Sequence, residues 1–133
     1  MNNLVDLEKK INSELNTKIN SSNIKHDQIY LNFNPTNLIE VLSFLKTNNQ
    51  TRFRQLIDIT AVDYPENLKR FKLVYLLLSH EFNFRVLLNT YINENEIVPS
   101  IVSIFPSANW MEREVFDMYG VSFKDHPDLR RIL

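Results

Sequence analysis

The residues of this chain that could support chemistry lie in its last third. Glu114 and Asp117 are three residues apart, so one helical face would hold both carboxylates, as a general acid and base require. His126 would complete a small hydrolytic site with them. Arg113 lies beside the pair, however, and a neighbouring guanidinium usually indicates ion pairing. Catalysis is therefore the weaker interpretation, and a charged surface, solvated or facing a partner, is the stronger one.

Metal, thiolate and phosphate chemistry find little support in the composition. The chain has no cysteine, which excludes disulfides, thiolate zinc sites, cysteine-ligated iron–sulfur clusters and a cysteine nucleophile within it. Its single glycine, Gly120, excludes the glycine-rich phosphate loops, which need two or more glycines at fixed offsets. The histidines, His26, His80 and His126, lack the spacing of a metal site. We therefore expect no cofactor and no metal on this chain.

The charge balance argues against nucleic acid and membrane partners. The 133 residues carry 15 basic and 16 acidic side chains, a net charge of −1, which gives no long-range attraction to anionic polymers. The Arg52-Phe53-Arg54 triplet fits a solvated strand edge better than a nucleic-acid site. The longest apolar run, residues 73–78, is far below the roughly 20 residues that span a bilayer. The N-terminus resembles neither a secretory signal nor a transit peptide.

Hydrophobic periodicity predicts an α+β domain. Apolar residues at spacings of three and four predict helices over residues 3–19 and from Pro35 to about 48, and a short helical turn at 100–105. Alternating apolar residues predict strands over 27–33, 56–62, 71–78 and 84–92. The last two strands should form a hairpin. We therefore predict one domain, residues 1–133, in which a mixed, mostly antiparallel sheet of about four strands packs with helices.

A further helix is predicted over residues 109–120. Asn109 is a strong N-cap residue, and Glu112, three residues later, can reach back to the N–H of the cap. Gly120 falls where a left-handed residue ends a helix. One face of this helix is apolar, with Met111, Val115 and Met118, and the opposite arc is charged, with Arg113, Glu114 and Asp117. Arg113 and Asp117 can form an ion pair, but an exposed pair stabilises a helix by only about 0.3–0.5 kcal/mol. Helix stability alone therefore hardly accounts for the charged residues on this arc.

The chain ends with the segment His-Pro-Asp-Leu-Arg-Arg-Ile-Leu at residues 126–133. Pro127 suits the first position of a turn or short helix. The residue types alone are equally consistent with a C-terminal surface turn that Leu129 and Ile132 anchor.

These residues resemble a known family. Residues 108–123 read Ala-Asn-Trp-Met-Glu-Arg-Glu-Val-Phe-Asp-Met-Tyr-Gly-Val-Ser-Phe. Together with the segment at 126–133, they resemble the signature of the 30-kilodalton subunit of respiratory complex I, the NADH:quinone oxidoreductase. Residues 56–65, 70–71 and 75–77 resemble the central region of that family. The resemblance covers the chain from about residue 25 to its end.

The resemblance implies a scaffold role within an enzyme. A member of this family belongs to the peripheral arm, has no catalytic residues of its own and packs against the 49-kilodalton subunit, which holds the quinone site. NAD, FMN, iron–sulfur clusters and quinone are carried by other subunits of that translocase. The expected location is peripheral, on the cytoplasmic face of a bacterial inner membrane or the matrix side of a mitochondrial one. The alternative is an equivalent scaffold subunit of a membrane-bound hydrogenase or related dehydrogenase.

The resemblance also implies which residues face a partner. The expected interface residues are Trp110, Glu112, Arg113, Glu114, Asp117, His126, Asp128, Arg130 and Arg131. The expected structural residues are Asn109, Gly120 and Pro127. Members of the family generally continue into a further conserved segment and a tail that extends over the partner. Because this chain stops at Leu133, it is expected to be a shortened form or a truncated sequence.

Overall fold

A hairpin of two long strands forms the middle of the fold. The structure, a computed structural model, describes residues 3–127. β4 (Phe71–Ser79) and β5 (Phe84–Ile92) pair antiparallel, as their alternating sequences predict. β3 (Gln55–Asp63) pairs antiparallel with β4, and β2 (Gln28–Asn32) pairs parallel with β5. β1 (Ser21–Lys25) completes a mixed sheet of five strands in the order β1-β2-β5-β4-β3. The predicted α+β class is confirmed.

β1 is the strand of this sheet that the sequence analysis missed. Its residues, Ser-Ser-Asn-Ile-Lys, include one apolar side chain, and none of the five is buried. A strand at the edge of a sheet needs little apolar surface, so it lacks the alternation by which strands are found. β1 joins β2 through His26 and Asp27, whose φ angles are 53° and 58°. Two successive positive φ angles are typical of the tightest hairpin turns.

Within residues 3–127, three helices pack against the sheet. α1 (Leu4–Leu15) begins at Asn3, whose side chain caps the first turn, and ends four residues before the predicted boundary. α2 (Leu38–Thr47) follows a 3₁₀ turn at Pro35–Asn37, so the chain turns at the predicted proline and the α-helix begins just after it. α3 (Ala108–Tyr119) lies against β3.

The hydrophobic core lies between the helices and one face of the sheet. Inward-facing strand residues with no exposed surface include Ile29, Leu31, Leu73, Tyr75, Leu77, Val86 and Leu88. The helices contribute Leu7, Ile11, Leu38, Val41, Leu42 and Leu45, which are equally buried. The alternate residues of the central strands, such as Leu76 and Leu87, are half-buried and lie outside this core. The helices of the described chain therefore cover one face of the sheet.

A short parallel pair of strands closes the segment that contains α3. β6 (Val98–Pro99) pairs with β7 (Phe123–Lys124). The Val98 N–H donates to the Ser122 carbonyl at 3.0 Å, and the Ser100 N–H donates to the Lys124 carbonyl at 2.9 Å. Two-residue strands are too short to show a period, so the sequence did not predict them. The pairing holds the residues before and after α3 side by side.

The two ends of α3 differ in how well they were predicted. Asn109 was expected to be the N-cap, but the helix begins at Ala108 after Ser107, and Asn109 is its second residue. The prediction was wrong because the Asn109 N–H already donates to the Pro106 carbonyl at 3.2 Å, so the chain turns earlier. Gly120 ends the helix at φ 75°, as predicted. The short helix expected before α3 is a turn in which the Phe105 N–H donates to the Ile101 carbonyl at 2.8 Å.

Candidate subunit interface

The inward face of α3 differs from the predicted apolar stripe. Ala108, Glu112 and Val115 are the buried residues of the helix, and their spacings of four and three place them on one face. Met118 was expected on that face, but its side chain is 71% exposed. The prediction was wrong because it treated Glu112 as a surface residue, which rotated the expected buried face by part of a turn.

Glu112 is an internal anchor and does not lie on the exposed charged face. Its side chain has no exposed surface. Oε1 accepts a hydrogen bond from Ser100 Oγ at 2.6 Å, and Oε2 accepts one from the Ile101 N–H at 2.8 Å. The His126 ring lies on the same side, with Nε2 3.9 Å from Oε1 and 3.0 Å from the Asn109 carbonyl, to which it donates. Glu112 thus ties α3 to the chain segments on either side of it.

Burial and hydrogen bonding act on Glu112 in opposite directions. Burial raises the pKa of its carboxyl, whereas the hydrogen bonds from Ser100 and Ile101 and the nearby His126 lower it, and the net pKa is above the ordinary value. Burial, together with the charge of Glu112, raises the pKa of the Tyr75 hydroxyl well above its ordinary value. Both groups are therefore enclosed by the fold.

Tyr75 provides a test of this enclosed environment. Its hydroxyl oxygen is buried and has no hydrogen-bond partner among the described residues. A buried hydroxyl without a partner is destabilising, so Tyr75→Phe should raise the free energy of unfolding by about 1 kcal/mol. Urea denaturation measures this change. Tyr30→Phe is the control, since the Tyr30 hydroxyl meets Gln28 at 3.3 Å on a half-buried face. A destabilised Tyr75→Phe would mean that the hydroxyl is satisfied.

The outward face of α3 presents an aromatic and sulfur-containing stripe. Trp110 is 52% exposed, and Glu114 and Met118 follow it at four-residue intervals, which places the three on one line along the helix. The Arg113 guanidinium carbon lies 5.4 Å from the centre of the Trp110 ring, in cation–π contact. Asp117 is half-buried on the adjoining arc. Trp, Met and Arg are the residues that protein interfaces favour.

A groove of about 280 Å³ lies between α3 and β3. It is lined by Asp58, Ile59, Thr60 and Ala61 from the strand and by Glu114, Val115, Met118 and Tyr119 from the helix. Tyr119 closes it against the core by an edge-to-face contact with Phe71, with ring centres 6.0 Å apart. The groove continues the exposed stripe of α3 onto the sheet edge, so both form one surface.

The structure does not gather Glu114, Asp117 and His126 into a hydrolytic site. His126 contacts the buried side of α3 at Asn109 and Glu112. Glu114 lies on the exposed side, two residues and therefore about 200° of helical rotation from Glu112. The histidine of the catalytic interpretation consequently faces different surroundings from Glu114.

Several other candidate residues lie at or beyond the end of the described chain. Asp128, Arg130 and Arg131 lie outside residues 3–127, and Pro127 is exposed at that boundary. Over the described residues, no group of three or more histidine or acidic side chains could hold a metal ion. No helix in that same part of the chain is long and apolar enough to cross a bilayer.

The basic triplet at residues 52–54 is paired within the chain. Phe53 is fully buried in the core. Arg52 and Arg54 both contact Glu81, at 2.5 and 3.2 Å. This carboxylate lies in the loop between β4 and β5, so the two guanidinium groups tie the segment just before β3 to the neighbouring hairpin.

Comparison with known proteins identifies the family. The model of the family described as respiratory-chain NADH dehydrogenase, 30 Kd subunit, matches residues 31–133. The chain belongs to this family. The match includes the whole of α3 and the groove beside it, so the surface described above lies within the part that defines the family.

Curated relatives of this 30 Kd subunit family member are named as subunits of NADH-quinone oxidoreductase. The protein of Ruegeria sp. (strain TM1040) is 47% identical over 130 residues, which are 98% of this chain and 65% of the relative. The protein of Dinoroseobacter shibae is 51% identical over 113 residues, 85% of this chain and 53% of the relative. This chain therefore spans about half to two thirds of the length of these relatives.

Solved structures share the fold. A trypsin-resistant fragment of Nqo5, residues 1–134, superposes with a TM-score of 0.77 at 23% identity and covers 95% of this chain and 98% of the fragment. A chain of the membrane-bound sulfane sulfur reductase, an archaeal respiratory membrane complex, superposes with a TM-score of 0.80 at 23% identity, covering 92% and 71% of the two chains. At these identities the likeness concerns the α+β arrangement alone.

Proposed function

We propose that this chain is a scaffold subunit of the peripheral arm of NADH-quinone oxidoreductase, with no catalytic residues of its own. It docks through the outward face of α3 to the 49-kilodalton subunit that holds the quinone site, and to other peripheral-arm subunits. In that position it supports electron transfer from NADH to quinone, coupled to proton translocation. The observation that carries the proposal is the exposed Trp110–Met118 stripe in a member of the 30 Kd subunit family.

The composition of this stripe supports docking to a protein. Trp110 exposes half of its surface, and Met118 exposes 71%. Solvent contact with such side chains is unfavourable, at about 25 cal/mol per Å² of apolar surface. The cation–π contact with Arg113 holds the indole ring in a defined position before binding. A pre-positioned aromatic side chain loses less conformational entropy on association.

The internal anchor beneath α3 supports the same role. Glu112 binds Ser100 and Ile101 in the segment before the helix, and β7, which follows the helix, pairs with β6 in that same segment. α3 is therefore held at both ends before a partner arrives. Such preorganisation is what a docking helix needs, because a mobile helix would lose its conformational freedom when it binds.

The same proposal includes the location and the cofactors. NAD, FMN, iron–sulfur clusters and quinone belong to other subunits, and the chain is held at the membrane through its partners, on the cytoplasmic or matrix side. The absence of cysteine from the sequence supports a chain without iron–sulfur clusters. The alternative is an equivalent subunit of a membrane-bound hydrogenase or related dehydrogenase. The identities of 47% and 51% to NADH-quinone oxidoreductase subunits favour the first role.

The docking face can be tested in the assembled complex. Trp110→Ala should weaken binding of the quinone-site subunit about 30-fold, the effect of losing one central aromatic contact of about 2 kcal/mol. Arg113→Glu should act in the same direction, because it removes the stacked cation and reverses its charge. The measurement is the amount of quinone-site subunit that co-purifies with the tagged chain, together with NADH:quinone activity.

Two controls decide how this result is interpreted. Leu68→Ala truncates a side chain that is 88% exposed elsewhere, and Lys9→Glu reverses an exposed charge on α1. Both should leave assembly unchanged. Normal assembly of Trp110→Ala and Arg113→Glu would contradict the proposed interface. Co-purification of hydrogenase subunits in place of NADH-oxidising ones would select the alternative role.

A further inference from the structure

The buried helix residues of the described chain all pack on one face of the five-stranded sheet and leave the other face without a covering helix. We call it the open face and define it by residues of the three inner strands that alternate away from the core: Tyr30, Lys72, Val74, Leu76, Leu78, Arg85, Leu87, Asn89 and Tyr91. None of the aliphatic members is part of the core or packed against it. Five of the nine are aliphatic or aromatic side chains on β4 and β5, where a one-sided sheet usually places polar residues.

The strand register makes these side chains contiguous. Leu87 lies opposite Leu76 on one side and Tyr30 on the other, so the three form a row across the sheet. Val74 and Leu78 lie two residues from Leu76 along β4 and therefore on the same face. Tyr91, which is 39% exposed, adds an aromatic ring at the margin. The result is a flat apolar centre across the middle of the sheet.

The charges around this centre are predominantly positive. Arg85 and Lys72 lie at opposite ends of the hairpin, and Lys25 continues the face onto β1. None of the three forms an ion pair with another described residue, although Arg52, Arg54 and Arg70 each do so elsewhere in the fold. Asp58, opposite Leu76 on the outer strand, contributes a carboxylate. Over the described residues, the open face therefore presents three cations against this one carboxylate.

We propose that the open face is a second docking surface, which binds an amphipathic helix of a partner subunit whose apolar stripe is flanked by carboxylates. The strands beneath the centre, β4 and β5, have neighbours on both sides, so their backbone groups are already paired and a partner must bind by side-chain packing. Helices already cover the other face of this sheet in the same way. Carboxylates on the partner would pair with Lys25, Lys72 and Arg85.

The charges and the burial of the open face also argue against two other binding partners, a second copy of this chain and a lipid surface. A second copy of this chain, bound symmetrically through the open face, would bring the same three cations against each other, which is repulsive. A lipid surface is disfavoured because Leu76, Leu78 and Leu87 are half-buried in the sheet and do not protrude. The centre of this surface is distinct from the α3 stripe, since α3 packs on the core side of the sheet, and the two surfaces meet only at the sheet edge, where Asp58 also lines the groove beside α3. The proposal rests on the scaffold role but involves a different contact.

The experiment places a photo-crosslinking residue in the intact complex. Benzoylphenylalanine at position 91 reports on the open face, and the same residue at position 114 reports on the α3 stripe. We expect position 91 to crosslink to a helix of another subunit that has acidic residues beside apolar ones. The double variant Lys72→Glu/Arg85→Glu should lower this yield at least tenfold and leave the crosslink from position 114 unchanged. Replacement of the partner's nearest acidic residues by lysine, in the background of this double variant, should restore the crosslink yield from position 91.

The controls make every outcome decisive. Lys9→Glu/Lys124→Glu carries the same charge change on exposed residues away from the open face and should leave the yield from position 91 unchanged. Crosslinks from position 91 to lipid or to a second copy, or no crosslink at all, would overturn the proposal. An equal loss of crosslink yield from position 91 in Lys72→Glu/Arg85→Glu and in Lys9→Glu/Lys124→Glu would also overturn it. Failure at position 114 with success at position 91 would contradict the α3 interface and leave the open face supported.

Discussion

Replacement of Glu112 by alanine should lower the free energy of unfolding by about 3 kcal/mol. The substitution removes the acceptor of two hydrogen bonds and leaves the buried Ser100 O–H and Ile101 N–H donors without that acceptor. It also opens a cavity beneath α3. Urea denaturation at neutral pH measures the change. Glu114→Ala, two residues away on the exposed face, is the matched control and should change stability by less than about 0.5 kcal/mol.

Glu112 should also make stability depend on pH with a defined sign. Its pKa is raised in the folded state, so the folded chain binds a proton that the unfolded chain has released. Stability therefore falls as the pH rises from the ordinary glutamate range through the raised pKa, and it is level above that. Glu112→Gln should flatten the curve over this window, since the amide does not titrate. The fold should be kept, because the amide oxygen can still accept from Ile101 and the amide N–H can donate to Ser100.

The contribution of Asp63 lies in a different pH range. Hydrogen bonding to Arg70 lowers the pKa of Asp63, so its stabilisation is present above the ordinary aspartate range and is lost as the pH falls through the lowered pKa. Stability measured across each of these two pH windows separates the contributions of Asp63 and Glu112. Parallel curves for the wild-type chain and Glu112→Gln would show that the carboxyl of Glu112 does not titrate differently on folding.

Two adjacent leucines of β5 should respond very differently to truncation. Leu88 is fully buried between the sheet and the helices, so Leu88→Ala should lower the free energy of unfolding by about 3 kcal/mol through lost burial and a cavity. Leu87 faces the open side and is half-buried, so Leu87→Ala should lower it by about 1 kcal/mol or less. Chemical denaturation of the isolated chain compares the two. Equal losses would mean that both faces of the sheet are packed in the isolated chain.

The main elements of the fold were predictable because their signals are local. Residues 71–92 alternate apolar side chains over two strands, and a loop of four residues permits only a hairpin. Leu7, Ile11 and Leu15 repeat at helical spacing, and α1 forms there. β1 and the β6–β7 pair were not predictable in this way. β1 depends on the edge of a sheet that already exists, and β6 depends on a partner strand 25 residues away in the chain.

The exposure of the candidate interface residues was predicted less well than the fold. The structure places Trp110, Arg113 and Glu114 on the outward side of α3, where the sequence analysis put them. Glu112 and Asn109 were assigned the wrong roles because a charged residue in a helix is normally exposed and an asparagine normally caps. The missing information was Ser100, which lies 12 residues earlier and joins no local motif. One signal was available: Glu112 lies four residues after Ala108 and three before Val115, in line with both.

The parallel pair of β6 and β7 has a mechanical consequence for α3. A pull on the chain beyond Lys124 reaches β7 first, and the hydrogen bonds to Val98 and Ser100 pass the load to β6. From there it enters the loop that Glu112 holds and the core beneath it. The helix itself lies outside this line of force. Tension on the chain beyond Lys124 should therefore stretch the short strands before it unwinds α3, and the helix should keep its shape under load.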